Sequence, residues 1–184
     1  MSAEQNKQFR TPILLSISFL IFIIDQLTKY LCSHYLNQGQ PVTIFPGFDL
    51  LLAHNFGAAF SFLSDAGGWQ RWFLTAFSSA ISVLLVFWII RLPKQEKLSA
   101  IALCLILGGA LGNLYDRMLN GYVVDFISIY YQSFRFATFN IADSSVFIGA
   151  CLMMLDIFRN RPAVSQLAEN NDSEISKRND SPDE

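Results

Sequence analysis

Two long stretches of this chain carry no charged side chain, and they limit its possible folds more than anything else. Residues 72–90 are nineteen in a row without Asp, Glu, Lys or Arg, and residues 98–115 are eighteen. About 20 apolar residues in a helix span the hydrocarbon core of a bilayer. Two further apolar segments, about 12–36 and 138–158, resemble them apart from a few polar residues near their ends. The expected fold is therefore an all-α membrane protein with four transmembrane helices, at about 12–36, 70–90, 98–117 and 138–158. Segments 37–69 and 118–137 lie outside the bilayer, and residues 1–160 form one domain. Composition agrees: 52% of residues are hydrophobic, 14% aromatic and only 15% charged, too apolar for a soluble domain of this size.

The first helix follows a short basic arm with Lys7 and Arg10, a pattern shared with secretory signal peptides. No small-x-small cleavage site follows, and three more apolar segments do, so it reads as a membrane helix. Trp69 and Trp72 open the second helix as an interfacial aromatic anchor. Between these helices, short alternating runs at 42–45 and 48–52 suit strands, with turns at 45–48 and 65–68. From residue 160 the chain turns polar, with six acidic and three basic residues. Segment 161–184 holds too little apolar surface to offset chain entropy and is expected to be a disordered cytoplasmic tail.

Four spans place both termini on one side. Nine of the thirteen basic residues fall there; Lys29, Arg71, Arg117 and Arg135 fall on the other. The positive-inside rule then puts both termini in the cytoplasm. Asp25, Lys29, Asn55, Asn113, Asp116, Arg117, Asp125, Asn140 and Asp143 gather at the outer face.

Common alternatives lack support. No basic patch with interleaved aromatics points to nucleic acid. Cys32, Cys104 and Cys151 lie far apart in apolar stretches and suggest neither a disulfide framework nor a metal spacing. Gly-rich nucleotide loops, G-x-S-x-G and H-E-x-x-H are absent. His34 and His54 are isolated and read as non-ligands.

Asn113, Asp116 and Arg117 share one helical face, which Gly109 and Gly112 continue inward. Gly108 and Gly112, four apart, also permit close approach of another helix. Polar groups at membrane depth usually face a cavity or pathway. Asp25 and Lys29 are spaced for a helical ion pair, with a structural or headgroup role. Asn55 offers an amide beside the small residues Gly57, Ala58 and Ala59. Asp143 follows Asn140 by three residues near a helix N-terminus, where negative charge is favoured. Asp125 sits in the apolar run VVDFI, where desolvation favours the protonated form. Two such carboxylates brought together would share a proton: one can activate water while the other protonates a carbonyl oxygen. Which does which is open, because a coupled pair titrates as a unit. The plain alternative is a loop acid and a helix cap. A cation site from Asp116, Asp125 and Asp143 would suit Mg²⁺ or Ca²⁺, but no ligand loop accompanies it.

Taken together, DQLTK at 25–29, NFGAAFS at 55–61, GGALGNLYDR at 108–117, VVDF at 123–126 and FNIAD at 139–143 resemble bacterial lipoprotein signal peptidase, also called signal peptidase II, an aspartic protease of the inner membrane. The resemblance covers about residues 10–160. It implies that Asp125 and Asp143 match the catalytic pair. It also implies that Asp25, Lys29, Asn55, Gly57, Asn113, Asp116, Arg117, Asn140 and Ala142 line or support the site. The implied substrate is a diacylglyceryl-modified prolipoprotein, cut just before the lipidated cysteine at the periplasmic face. The implied reaction needs no metal or cofactor, and globomycin blocks it. Membrane lipid is a further partner, and the expected state is a monomer. Segments 42–64 and 120–137 look like that family's extracytoplasmic β-cradle and its amphipathic helix or flap. The competing function is a small transporter or proton-conducting subunit. A relay would spread acids through the bilayer depth, whereas here they gather at one face. A lipid-binding assembly factor would not need two aspartates on neighbouring elements.

Overall fold

The computed structural model describes residues 3–57 and 67–159. The expected tail at 161–184 lies outside the described residues, as does 58–64 of the outer segment. The elements run α1 (Ala3–Tyr35), β1 (Val42–Phe45), β2 (Phe48–Asn55), α2 (Trp69–Arg91), α3 (Lys97–Leu119), β3 (Val123–Tyr131), β4 (Phe134–Arg135) and α4 (Ile141–Arg159). All four helices are long and apolar enough to cross a membrane.

Helix α1 begins well before residue 12 and continues through Pro12, which forfeits one helical hydrogen bond there. Helix α4 begins at Ile141 rather than near 138, because Asn140 caps it: the Asn140 Oδ1 accepts from the Asp143 N–H at 2.9 Å. Residues 120–137 mostly enter the sheet instead of forming a helix. The β-branched run through Val123, Val124, Ile127 and Ile129 suits a pleated strand.

Helix α3 packs against each of the other three helices. Leu103, Cys104, Leu107 and Ala100 of α3 form a dry core with Leu85 and Ile89 of α2. The outward faces of the other helices present Phe19 and Leu20, Phe77 and Leu84, and Phe147 and Phe158. An apolar face of this kind is at home against lipid tails rather than water.

Close helix approach depends on small residues in α3. A Cβ at Gly108 would lie 2.8 Å from Ile21 Cβ and 2.8 Å from the Ser18 carbonyl oxygen of α1. One at Gly109 would run into the Ala142 carbonyl oxygen and reach 2.5 Å from Ser145 Oγ. Hydroxyls join the helices where backbones meet: Ser18 Oγ donates to the Cys104 carbonyl at 2.9 Å, and Ser145 Oγ to the Leu105 carbonyl at 3.2 Å.

The strands form one antiparallel sheet in the order β1-β2-β3-β4. Gly47, at φ +94°, lets the chain turn sharply between β1 and β2 after Pro46. In the register of β2 and β3, Ala53 opposes Asp125 and Asn55 opposes Val123. Asn55 and Asp125 are thus diagonal neighbours on one face. The sheet stands at the α1 C-terminus and the α4 N-terminus, over one end of the bundle.

Replacing Gly109 with Val should destabilise the protein by about 1–3 kcal/mol, because overpacking between rigid backbones cannot relax. Thermal melts in detergent should show this drop, while Phe147→Ala on the outward face should leave the midpoint nearly unchanged.

Candidate active site

Asp25 and Lys29 face inward from the last turns of α1, and both are almost fully buried. The Lys29 Nζ lies 2.8 Å from Asp25 Oδ2, 2.9 Å from Asp116 Oδ2 and 3.0 Å from Asn113 Oδ1. Three protons thus meet three acceptors, which is what a buried ammonium requires. Asp25 fits there because α3 carries Gly112, where a Cβ would collide with Asp25 Oδ2. Each carboxylate also holds a neighbouring backbone. Asp25 Oδ1 accepts from the Ala142 N–H at 2.8 Å, and Asp116 Oδ2 from the Val124 N–H at 3.1 Å.

Ala142 precedes Asp143, and Val124 precedes Asp125. The Asn140 Nδ2 donates to Asp125 Oδ1 at 2.8 Å, and the Asn55 Nδ2 to Asp125 Oδ2 at 3.1 Å. Neither amide is free to flip. Asn140 Oδ1 is occupied by the Asp143 N–H, and Asn55 Oδ1 accepts from the Gly57 N–H at 3.0 Å. Asp143 Oδ2 in turn accepts from the Asn140 N–H at 3.2 Å. Asn140 and Asp143 therefore form a reciprocal capping box, with Asp in the place usual for Glu or Gln. Asp143 Oδ1 accepts from Asn113 Nδ2 at 2.7 Å. Asn140 touches both aspartates, so one residue sets their relative position.

The two aspartates differ in environment. Asp125 is 2% exposed, while Asp143 is half-buried at the start of α4. Burial pushes the Asp125 carboxyl up to about 7, and the nearby Asp143 charge adds to this; the Asn55 and Asn140 hydrogen bonds and the Lys29 charge oppose it. Arg117 interacts electrostatically with Asp143, Asp125 and Asp116. Its Nη2 donates to the Gly57 carbonyl at 3.0 Å. All eleven residues singled out in the sequence thus meet at one end of the bundle.

Other residues sort differently. Asp116 is committed to Lys29 and Val124, so it does not complete a three-carboxylate cation site with Asp125 and Asp143. His54 stacks on Tyr122 at 4.0 Å between ring centroids. Gln26 escaped the sequence reading: its Nε2 lies 3.1 Å from Asp116 Oδ1 and 3.2 Å from the Gly112 carbonyl. Its place inside DQLTK was the available signal. Asp49 also escaped it. Burial raises that carboxyl, but hydrogen bonds from Arg135 and Thr43 outweigh burial and hold it below the usual range. The contact with Arg135 Nη2 is 2.7 Å. It braces the sheet, and nothing local in the sequence pairs residues so far apart.

Comparison with known proteins places this arrangement in context. Residues 17–159 match the profile of a family described as signal peptidase (SPase) II. The chain is 56% identical over 140 residues to a lipoprotein signal peptidase of Teredinibacter turnerae, covering 76% of this chain and 83% of that protein. It is 52% identical over 144 residues to one from Acinetobacter baumannii, covering 78% and 82%. A solved structure described as a bacterial membrane enzyme superposes with TM-score 0.75 at 31% identity, covering 83% of this chain and 91% of that one.

Asp125 takes up its proton more readily in the folded chain than in the unfolded one, where a carboxyl titrates near about 3.9. Its contribution to stability is present below that value and is lost as pH rises to about 7. Melting curves at pH 5 and pH 8 should show wild-type losing stability relative to Asp125→Asn as pH rises. Parallel curves would contradict the raised carboxyl.

Proposed function

The chain belongs to the signal peptidase II family and has that family's multi-pass, peptidase character; on that premise we propose that Asp125 and Asp143 are the catalytic pair that cleaves prolipoproteins. The observation that carries this reading is the pair itself, one carboxyl buried and one half-buried, both hydrogen-bonded to Asn140. The transporter alternative loses its footing in a peptidase family.

The environments suggest the roles. Asp125 holds the shared proton, and the negative charge rests on Asp143 at the N-terminus of α4, supported by the Asn113 amide. A water between them loses a proton to Asp143 as its oxygen attacks the scissile carbonyl carbon. Asp125 donates its proton to the carbonyl oxygen, giving a neutral gem-diol. In the second half the leaving amine takes the proton from Asp143, the C–N bond breaks, and a gem-diol hydroxyl returns a proton to Asp125. The pair ends as it began.

The substrate we infer is a diacylglyceryl-modified prolipoprotein, cut just before the lipidated cysteine. Its acyl chains would lie against the apolar helix faces, which fixes the scissile bond at the depth where the helices end. Such anchoring supplies orientation that a free peptide would lose. Asn55, Gly57, Asn113, Asp116, Arg117, Asn140, Ala142, Asp25 and Lys29 line or support the site. By the distribution of basic residues, both termini are cytoplasmic and the site faces the periplasm across the inner membrane. Globomycin-type inhibitors would compete at this pocket, and a monomer carries all the residues of the site. The chemistry proposed uses no metal or cofactor.

In a gel-shift cleavage assay, Asp125→Asn and Asp143→Asn should each lower turnover by about a thousandfold or more, with folded protein retained. Near-normal turnover in either would refute the pair. The unlipidated precursor should stay uncut where the lipidated one is processed. The pH profile adds an independent check. Above about 7 Asp125 loses the proton it must donate, so kcat/KM should fall as pH rises through that value.

A further inference from the structure

We propose that Lys29 is a positioning residue for the cleavage reaction, its ammonium fixing at once the amide that contacts Asp143 and the two carboxylates that hold the backbones beside Asp143 and Asp125. The proposal rests on Asp125 and Asp143 being the catalytic pair.

Three paths lead from Lys29 Nζ to the pair. The first runs through Asn113. Lysine only donates, so its contact at 3.0 Å must meet the Asn113 oxygen. That turns the Asn113 nitrogen toward Asp143 Oδ1, at 2.7 Å. The second runs through Asp25 Oδ2 to Oδ1 and the Ala142 N–H, beside Asp143. The third runs through Asp116 Oδ2 to the Val124 N–H, beside Asp125. One side chain of α1 thereby governs both elements that carry the reacting groups. Removing the ammonium would leave the Asn113 oxygen with only the longer contact from Asn140 Nδ2, at 3.2 Å, among its side-chain donors in the described residues, and so loosen the amide that contacts Asp143.

Lys29 faces Asp25 on its own helix and Asn113 and Asp116 of α3. Asp125 faces Asn55 of β2, the cap residue Asn140, Asp143 of α4, Arg117 of α3 and Lys29 of α1. Among the described residues, Lys29 and Arg117 are basic groups that interact electrostatically with Asp125. The Lys29 charge opposes proton retention by Asp125.

The test uses full-length protein in detergent and a lipidated precursor, with kcat, KM and the pH profile measured separately. Lys29→Arg keeps the charge but replaces a compact ammonium with a planar fork. Its kcat should fall about a hundredfold with KM little changed, and its alkaline limb should stay at the wild-type position. Lys29→Met alone would leave two buried carboxylates without their cation, so it is combined with Asp116→Asn. The double variant should lose kcat similarly, and its alkaline limb should lie at higher pH than that of Asp116→Asn alone, because those two differ only in the charge opposing the proton. A strut that merely held the fold would lower the amount of folded enzyme without moving that limb. Wild-type kcat in folded Lys29→Arg, a limb in the double variant no higher than that of Asp116→Asn, or failure of both Lys29 variants to fold would overturn the proposal. Loss of activity in Asp143→Asn alongside an active Lys29→Arg would sink only the role of Lys29. Retained activity in Asp143→Asn would sink the catalytic pair itself.

Discussion

An ammonium group buried near membrane depth must have every proton accepted and its charge balanced, and Lys29 satisfies both demands with Asp25, Asp116 and Asn113. Much of the remaining geometry is a consequence. The carboxylates that balance Lys29 have a second oxygen or lone pair to spend, and they spend it on the N–H groups of Ala142 and Val124. Those N–H groups belong to the first turn of a helix and the start of a strand. The charge cluster therefore ties α1, α3, α4 and β3 at a single point. Gly112 is part of the same solution, since any side chain there would occupy the space of Asp25.

Asn140 shows how few residues are needed to convert a helix terminus into a reactive site. As an N-cap it satisfies the Asp143 N–H, which a helix start otherwise leaves without a partner. The same cap fixes its oxygen, leaving its nitrogen for Asp125. Structural and chemical demands coincide in one amide. The arrangement has a cost in stability. Among the described residues the direct partners of the buried Asp125 are amide donors, and holding a carboxyl there carries a desolvation cost. Strain of this electrostatic kind is common where a carboxyl must keep a proton near neutral pH.

The outer sheet is more than a cover. Strand β3 carries Asp125, and β2 brings Asn55 beside it through a register that includes a shift between Leu50 and Ala53. The buried Asp49, held by Arg135 and Thr43, braces the distal half of the sheet. At the other side Arg71 of α2 donates to the Arg117 and Met118 carbonyls at 2.9 and 2.7 Å, closing the end of α3 from which the chain turns into β3. The site thus has a rigid floor of helix ends and a wall of paired strands.

The four apolar spans, the turn at Pro46-Gly47 and the family membership follow from local pattern alone. Uncharged runs of bilayer length have few alternative fates, and five short motifs in fixed order leave little ambiguity. The polar residues at one end of the helices were also legible, because four spans alternate direction. Local pattern did not settle the fate of segment 120–137, where strand pairing with β2 supplies the partner that a lone amphipathic segment lacks. Nor did it reveal Gln26 or the pairing of Asp49 with Arg135, which are contacts between distant parts of the chain. The difference between Asp125 and Asp143 was legible only in outline, as an apolar run around one and a helix start at the other. Only packing buries one and leaves the other half-open at a helix cap, and desolvation is a property of the folded neighbourhood rather than of the residue.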